Sequence, residues 1–232
     1  MDRRVALALL YTAIILTVME YWCLPIRFEE RSLHHTQTLL RGISEISLNS
    51  GALWAASCIL GFLIGPLLIT VFVHREGPTS IGMSARGFHR HGVIYLGLYL
   101  LMLPLIVHVS QRPDFQGTYP FVASAAKDLS TFVKWEATYL AQFFALEAFF
   151  RGYLLFTLEK SMGWNAIFVM TVPYGMIHWH KPPAEAFGAV FAGVILGALA
   201  LRFRSFYGGA LLHAMVAFTM DFLAAERGGA FS

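Results

Sequence analysis

The sequence predicts an all-α, polytopic transmembrane helical bundle of about seven spans, with a polar intramembrane site in its C-terminal four spans. Three observations carry this. Only 13% of the 232 residues are charged, roughly half the 25% usual in a soluble domain. Hydrophobic residues make up 57% and the mean hydropathy is +0.60. These residues gather in runs near the roughly 20 residues that cross about 30 Å of hydrocarbon.

The runs cover residues 5–24, 51–73, 92–109, 132–158, 163–179, 185–201 and 206–225. Together they read as one integral membrane domain over 1–232, with the spans of residues 132–225 carrying the polar site, and no internal repeat is visible. Asp2, Arg3 and Arg4 precede a first run longer than a signal peptide's apolar core and without a small-residue cleavage site. The run is therefore expected to stay as a span. The segment from Pro25 to Ser50 holds Arg27, Glu29, Glu30, Arg31, His34, His35, Arg41 and Glu45, which suits a short amphipathic helix on the membrane surface. His74 to His91 and Gln111 to Ser130 read as solvated loops, the second broken by Pro113, Gly117 and Pro120. His89 and His91 flank Arg90 at a helix start and read as an interfacial cluster.

The net charge of +3 does not imply nucleic acid, because the basic residues stand singly or in pairs at the edges of apolar runs rather than in a stripe. They read as membrane-flanking charges. Arg3, Arg4, Arg75, Arg86, Arg90, Lys160, Arg202 and Arg204 are expected to be divided between the two faces, and the N-terminus to lie inside. Cys23 and Cys58 have no metal-ligand spacing and read as packing residues. The expected partners are membrane lipids and a peptide or protein substrate at the membrane.

Ionisable groups deep in a span cost several kcal/mol, and those that persist mark functional-site candidates. Glu147 and Arg151 stand at i and i+4 in the fourth run, on one helical face where they can pair; a structural ion pair would leave the same trace. His178 lies four residues after Tyr174, beyond Pro173, which opens the helix locally. His180 lies near the end of that run, where an interfacial role fits. His213 sits well inside the last run, and Asp221 is two turns on and about 80° round the helix, out of its direct reach. Gly193 and Gly197 let a neighbouring backbone approach closely, and Glu185 opens the sixth run at the positive end of its dipole. A carboxylate, an arginine and two histidines from three neighbouring spans supply acid–base groups and an oxyanion stabiliser, as amide hydrolysis by activated water requires.

These motifs resemble the CAAX protease and bacteriocin-processing family of glutamic intramembrane proteases, which includes the Ras-converting type. The likeness rests on Glu147-xxx-Arg151-Gly152, Tyr174-xxx-His178, the run Met176-Ile177-His178 to Lys181-Pro182, Glu185 and Gly188, and Leu201-Arg202-Phe203-Arg204-Ser205 to Gly208-Gly209 and His213. It covers roughly residues 140–225, is also similar to a bacterial branch, and implies a bacterial inner-membrane location. The family's first motif usually reads Glu-Glu-xxx-Arg, and here Leu146 takes the first Glu position. The third is often His-xxx-Asn, and here Ala217 takes the Asn position.

The resemblance implies an endopeptidase with Glu147 as general base aided by His178, Arg151 orienting Glu147, and His213 donating to the oxyanion. Tyr174, His180, Glu185 and Asp221 are supporting candidates, and no cofactor is implied. Two alternatives stay open. One is a zinc site on Glu147, His178 and His213, against which Arg151 beside the carboxylate argues. The other is a non-catalytic membrane scaffold or immunity protein, favoured by Leu146 and Ala217.

Overall fold

A computed structural model describes residues 2–25 and 46–231, and no strand occurs among them. The surface helix expected between Pro25 and Ser50 falls largely outside the described residues.

Among the described residues seven main helices alternate in direction. Helix α1 is Arg3–Val18, extended by a π-helical turn Met19–Cys23. Helix α2 runs Leu48–Val73, with π-helical stretches Ile59–Ile64 and Ile69–Val73. Helix α3 is Phe88–Val109. Helix α4 joins Leu129–Glu147, the π-helical Ala148–Leu154 and Leu155–Met162. Helices α5, α6 and α7 are Ala166–Met176, Pro183–Phe203 and Tyr207–Gly228. Asp128 caps α4 by accepting from the amides of Ser130 and Thr131, and Pro183 sits at the first position of α6, where a missing N–H does no harm.

Among the described residues five helices, α1, α2, α3, α6 and α7, are long and apolar enough to cross a membrane, and the protein is a multi-pass integral membrane protein. The other two runs differ from expectation. Helix α4 is long, but Glu147 and Arg151 interrupt its apolar stretch, and its middle is core rather than lipid face: Phe149, Phe150, Tyr153, Leu154 and Leu155 are wholly enclosed. Helix α5 has 11 residues, roughly 16 Å of rise, about half a bilayer core. It ends just after Pro173 in tight turns, with the His178 amide bonded to the Gly175 carbonyl at 3.0 Å.

Packing follows small residues. A Cβ on Gly193 would meet Thr171 Cγ2 at 2.7 Å, and one on Gly197 would meet Ile167 and Met170 at 3.1 Å. These two glycines therefore let α6 lie directly on α5.

The segment after α3 is not the solvated loop expected. Phe115, Tyr119, Val122 and Ala125 are buried there, and Phe115 and Tyr119 pack with Ala224 of α7. Helical turns at Pro113–Gln116 and Ala123–Ala126 fold the segment back against the bundle. At the other end His91 stacks on Phe203 with ring centres 3.7 Å apart.

The expected division of the basic residues is also corrected. Each of Arg3, Arg4, Arg75, Arg86, Arg90, Lys160, Arg202 and Arg204 stands at the start of an odd-numbered helix or the end of an even-numbered one, so alternation gathers all eight at one end. Ion pairs tie that end together. Glu76 binds Arg4 and, at 2.6 Å, Lys160, while Arg204 binds Glu159 at 2.6 Å. Hydrogen bonding by Lys160 holds the Glu76 carboxyl below its ordinary range against the opposing effect of burial.

Candidate active site

Four helices bring the singled-out residues together. Glu147 closes the first part of α4 and is fully enclosed. Its Oε1 accepts from Arg151 at 2.7 Å and lies 3.0 Å from His213 Nδ1 on α7. A carboxylate only accepts, so His213 carries the proton on Nδ1 and turns Nε2 away from Glu147. Glu147 Oε2 lies against Gly209, where a Cβ would approach to 3.0 Å. Glycine in the first turn of α7 is thus what gives the carboxylate room.

Arg151 is equally enclosed and lies over the Tyr174 ring, its guanidinium carbon 3.7 Å from the centre. The Tyr174 ring centre is 6.4 Å from that of His213 and 4.8 Å from that of His178. His178 Nδ1 lies 2.8 Å from the Tyr174 carbonyl oxygen. A carbonyl cannot donate, so this imidazole too keeps its proton on Nδ1 and leaves Nε2 bare.

These imidazoles face a cavity of about 360 Å³ bounded by α3, α4, α5, α6, α7 and the segment before α4. His178 and His213 line it; Glu147 and Arg151 stand behind His213 and do not. Its remaining wall is mainly aliphatic, including Leu98, Leu105, Ile195 and Leu196. Ala217 lines the cavity without offering a donor, while Leu146 packs into the apolar core around Phe149 and Phe150.

The supporting candidates divide. Tyr174 joins the cluster directly. Glu185 lines the cavity, where it binds Lys181 at 2.7 Å and accepts from the Tyr119 hydroxyl at 2.5 Å. His180 is exposed and pairs with Glu20 of α1 at 3.4 Å. Asp221 is buried but accepts from Trp135 Nε1 at 2.6 Å, with Glu136 alongside. Sequence reasoning passed over Glu136 and Trp135. A signal existed, since Glu136 precedes Glu147 by three full turns and falls about 20° from it on α4.

Among the described residues no group of three or more His, Cys, Asp or Glu side chains could hold a metal ion. Glu147 Oε1 is engaged by Arg151 and His213, while Oε2 meets no hydrogen-bond donor among the described residues.

Fold and site define a class: a multi-pass helical membrane protein whose acid–base residues are enclosed among its helices beside an apolar cavity. Residues 128–219 carry the family signature described as type II CAAX prenyl endopeptidase, Rce1-like, in agreement with the resemblance read from the motifs. The matched stretch takes in Glu147, Arg151, Tyr174, His178 and His213 and stops short of Asp221. No curated protein and no solved structure gives a significant match to the chain.

Proposed function

We propose that the protein is an intramembrane endopeptidase that hydrolyses a peptide bond of a membrane-associated or lipid-modified substrate. The observation that carries this reading is the pairing of His213 with the enclosed Glu147–Arg151 ion pair on one side and the cavity on the other. His213 is the group placed to take a proton from water, and Glu147 is the fixed acceptor behind it. The bond to Glu147 orients the ring and stabilises the imidazolium once it forms. Arg151 keeps Glu147 in place and offsets its charge. His178, with Nδ1 committed to the Tyr174 carbonyl, presents a second acceptor that orients the same water.

Water attack on the carbonyl carbon forms the new C–O bond as the water proton passes to His213 Nε2. Collapse of the tetrahedral species breaks the C–N bond, and the same proton passes to the leaving nitrogen. This differs from the role that the resemblance implies for Glu147, because the base is the histidine that reaches the cavity. The match to CAAX endopeptidases supports a membrane-associated peptide as substrate, and the bacterial branch supports an inner-membrane location.

The test is cleavage of a membrane-peptide library by protein in lipid nanodiscs, comparing wild type, Glu147→Gln and His213→Gln, with and without chelator. Activity that survives chelation and is lost in both variants is expected. Wild type and variants equally inert across the library would favour the scaffold reading, to which Ala217 and Leu146 lend support.

A further inference from the structure

Lys181 is the one cation lining the cavity among the described residues. Its amide bonds to the His178 carbonyl at 3.1 Å, which puts it one turn from the imidazole. Its ammonium donates to Glu185 Oε1 at 2.7 Å and lies 3.4 Å from the Tyr119 hydroxyl, and Tyr119 donates to Glu185 Oε2 at 2.5 Å. Burial, reinforced by the Glu185 charge, pushes the Tyr119 hydroxyl well above its usual range, so it remains a donor. An ammonium has three donors, and these contacts leave one for a guest. The hydrolase reading gives none of the three residues a task.

A cation beside an aliphatic cavity needs a partner, and Glu185 supplies one. We propose that Lys181 is a specificity residue that receives a carboxylate of the substrate, positioned within about two residues of the bond presented to His178 and His213, a span set by the reach of a lysine side chain. The proposal rests on the hydrolase reading of the site. Glu185 competes for the same ammonium and so tempers the preference, while Tyr119 fixes Glu185 to the segment that closes this end of the cavity. The carboxylate is either an acidic side chain or the free end of the substrate chain, and both offer the same charge-assisted acceptor.

Two measurements in lipid nanodiscs test it. In the first, matched peptides differ only as Asp against Asn beside the cleaved bond, or as C-terminal acid against amide. Wild type is expected to favour one acid form at least tenfold in kcat/KM, and the pair that discriminates identifies the source of the carboxylate. Lys181→Met should bring that ratio near one, Lys181→Arg should keep most of it, and Glu185→Gln should raise it. Equal cleavage of both forms by wild type, or a preference that survives Lys181→Met, overturns the proposal. In the second, decanoate and decanol are added as probes and thermal unfolding is followed. Decanoate should raise the unfolding temperature of wild type more than decanol does, and lose that advantage in Lys181→Met; decanoate no better than decanol on wild type overturns the proposal. If no peptide is cut yet the decanoate result holds, the hydrolase reading falls and Lys181 stands as an anion-binding residue.

Discussion

Helices α4 and α7 are bridged by carboxyl groups at two levels, and the two junctions are built differently. At one, Glu147 is met by Arg151 and by His213 Nδ1. At the other, Asp221 accepts from the Trp135 indole at 2.6 Å, with Glu136 alongside. Neither Glu136 oxygen meets a hydrogen-bond donor among the described residues. The first junction has a cation to offset its charge and an imidazole leading to the cavity. The second has neither, and joins the helices without reaching the site. Both junctions bury an acid, and only the first has a route from the acid to the cavity.

The sharpest way to break this contrast is to remove the imidazole. His213→Gln should lower kcat/KM about 10²–10⁴-fold, the range usual for an acid–base group. Asp221→Asn should leave it within a few-fold when both are assayed on the same peptide. An equal loss in the two would erase the distinction. Next in size, Arg151→Met leaves Glu147 enclosed without its cation and should destabilise the fold by about 3–5 kcal/mol, measured by reversible denaturation in mixed micelles. Trp135→Phe removes the indole donor from Asp221 and should cost about 1–3 kcal/mol, with kcat little changed.

The smallest effect is expected at the basic end. Glu76 is held below its ordinary value of 4.5, chiefly by Lys160. A lowered folded-state value stabilises the protein above the ordinary carboxylate range and loses that contribution as pH falls through the lowered value. The unfolding temperature of wild type should therefore drop with acidification below about 4.5, and Glu76→Gln should remove that part of the slope.

Helix number and the clustering of the candidate residues were legible because apolar runs and misplaced charges are local signals. Glu147 with Arg151, and His178 with Tyr174, sit four residues apart, so helix geometry alone brings each pair together. The bond from Trp135 to Asp221 was harder, since it depends on how α7 lies against α4. Tyr119 was hidden in a stretch whose prolines and glycine suggested solvent, whereas Phe115 and Val122 anchor it to the bundle. The run at 132–158 reads as a span, and the enclosure of its middle is not legible because hydropathy cannot separate a helix wrapped in lipid from one wrapped in protein. The shared end of the eight basic residues was derivable from the alternation of the seven runs.

The π-helical stretch Ala148–Leu154 has one further consequence, for insertions and deletions. Wide turns of this kind hold an extra residue relative to an α-helix. Deleting one residue there would let the helix relax to the regular form with little rotation of what lies beyond the cut, because the wide turn gives up the residue it had absorbed. A deletion just after Arg151 would keep the Glu147–Arg151 pair at its present spacing and leave the last part of α4 close to its present face. A single-residue loss there is expected to be tolerated more readily than a single-residue gain.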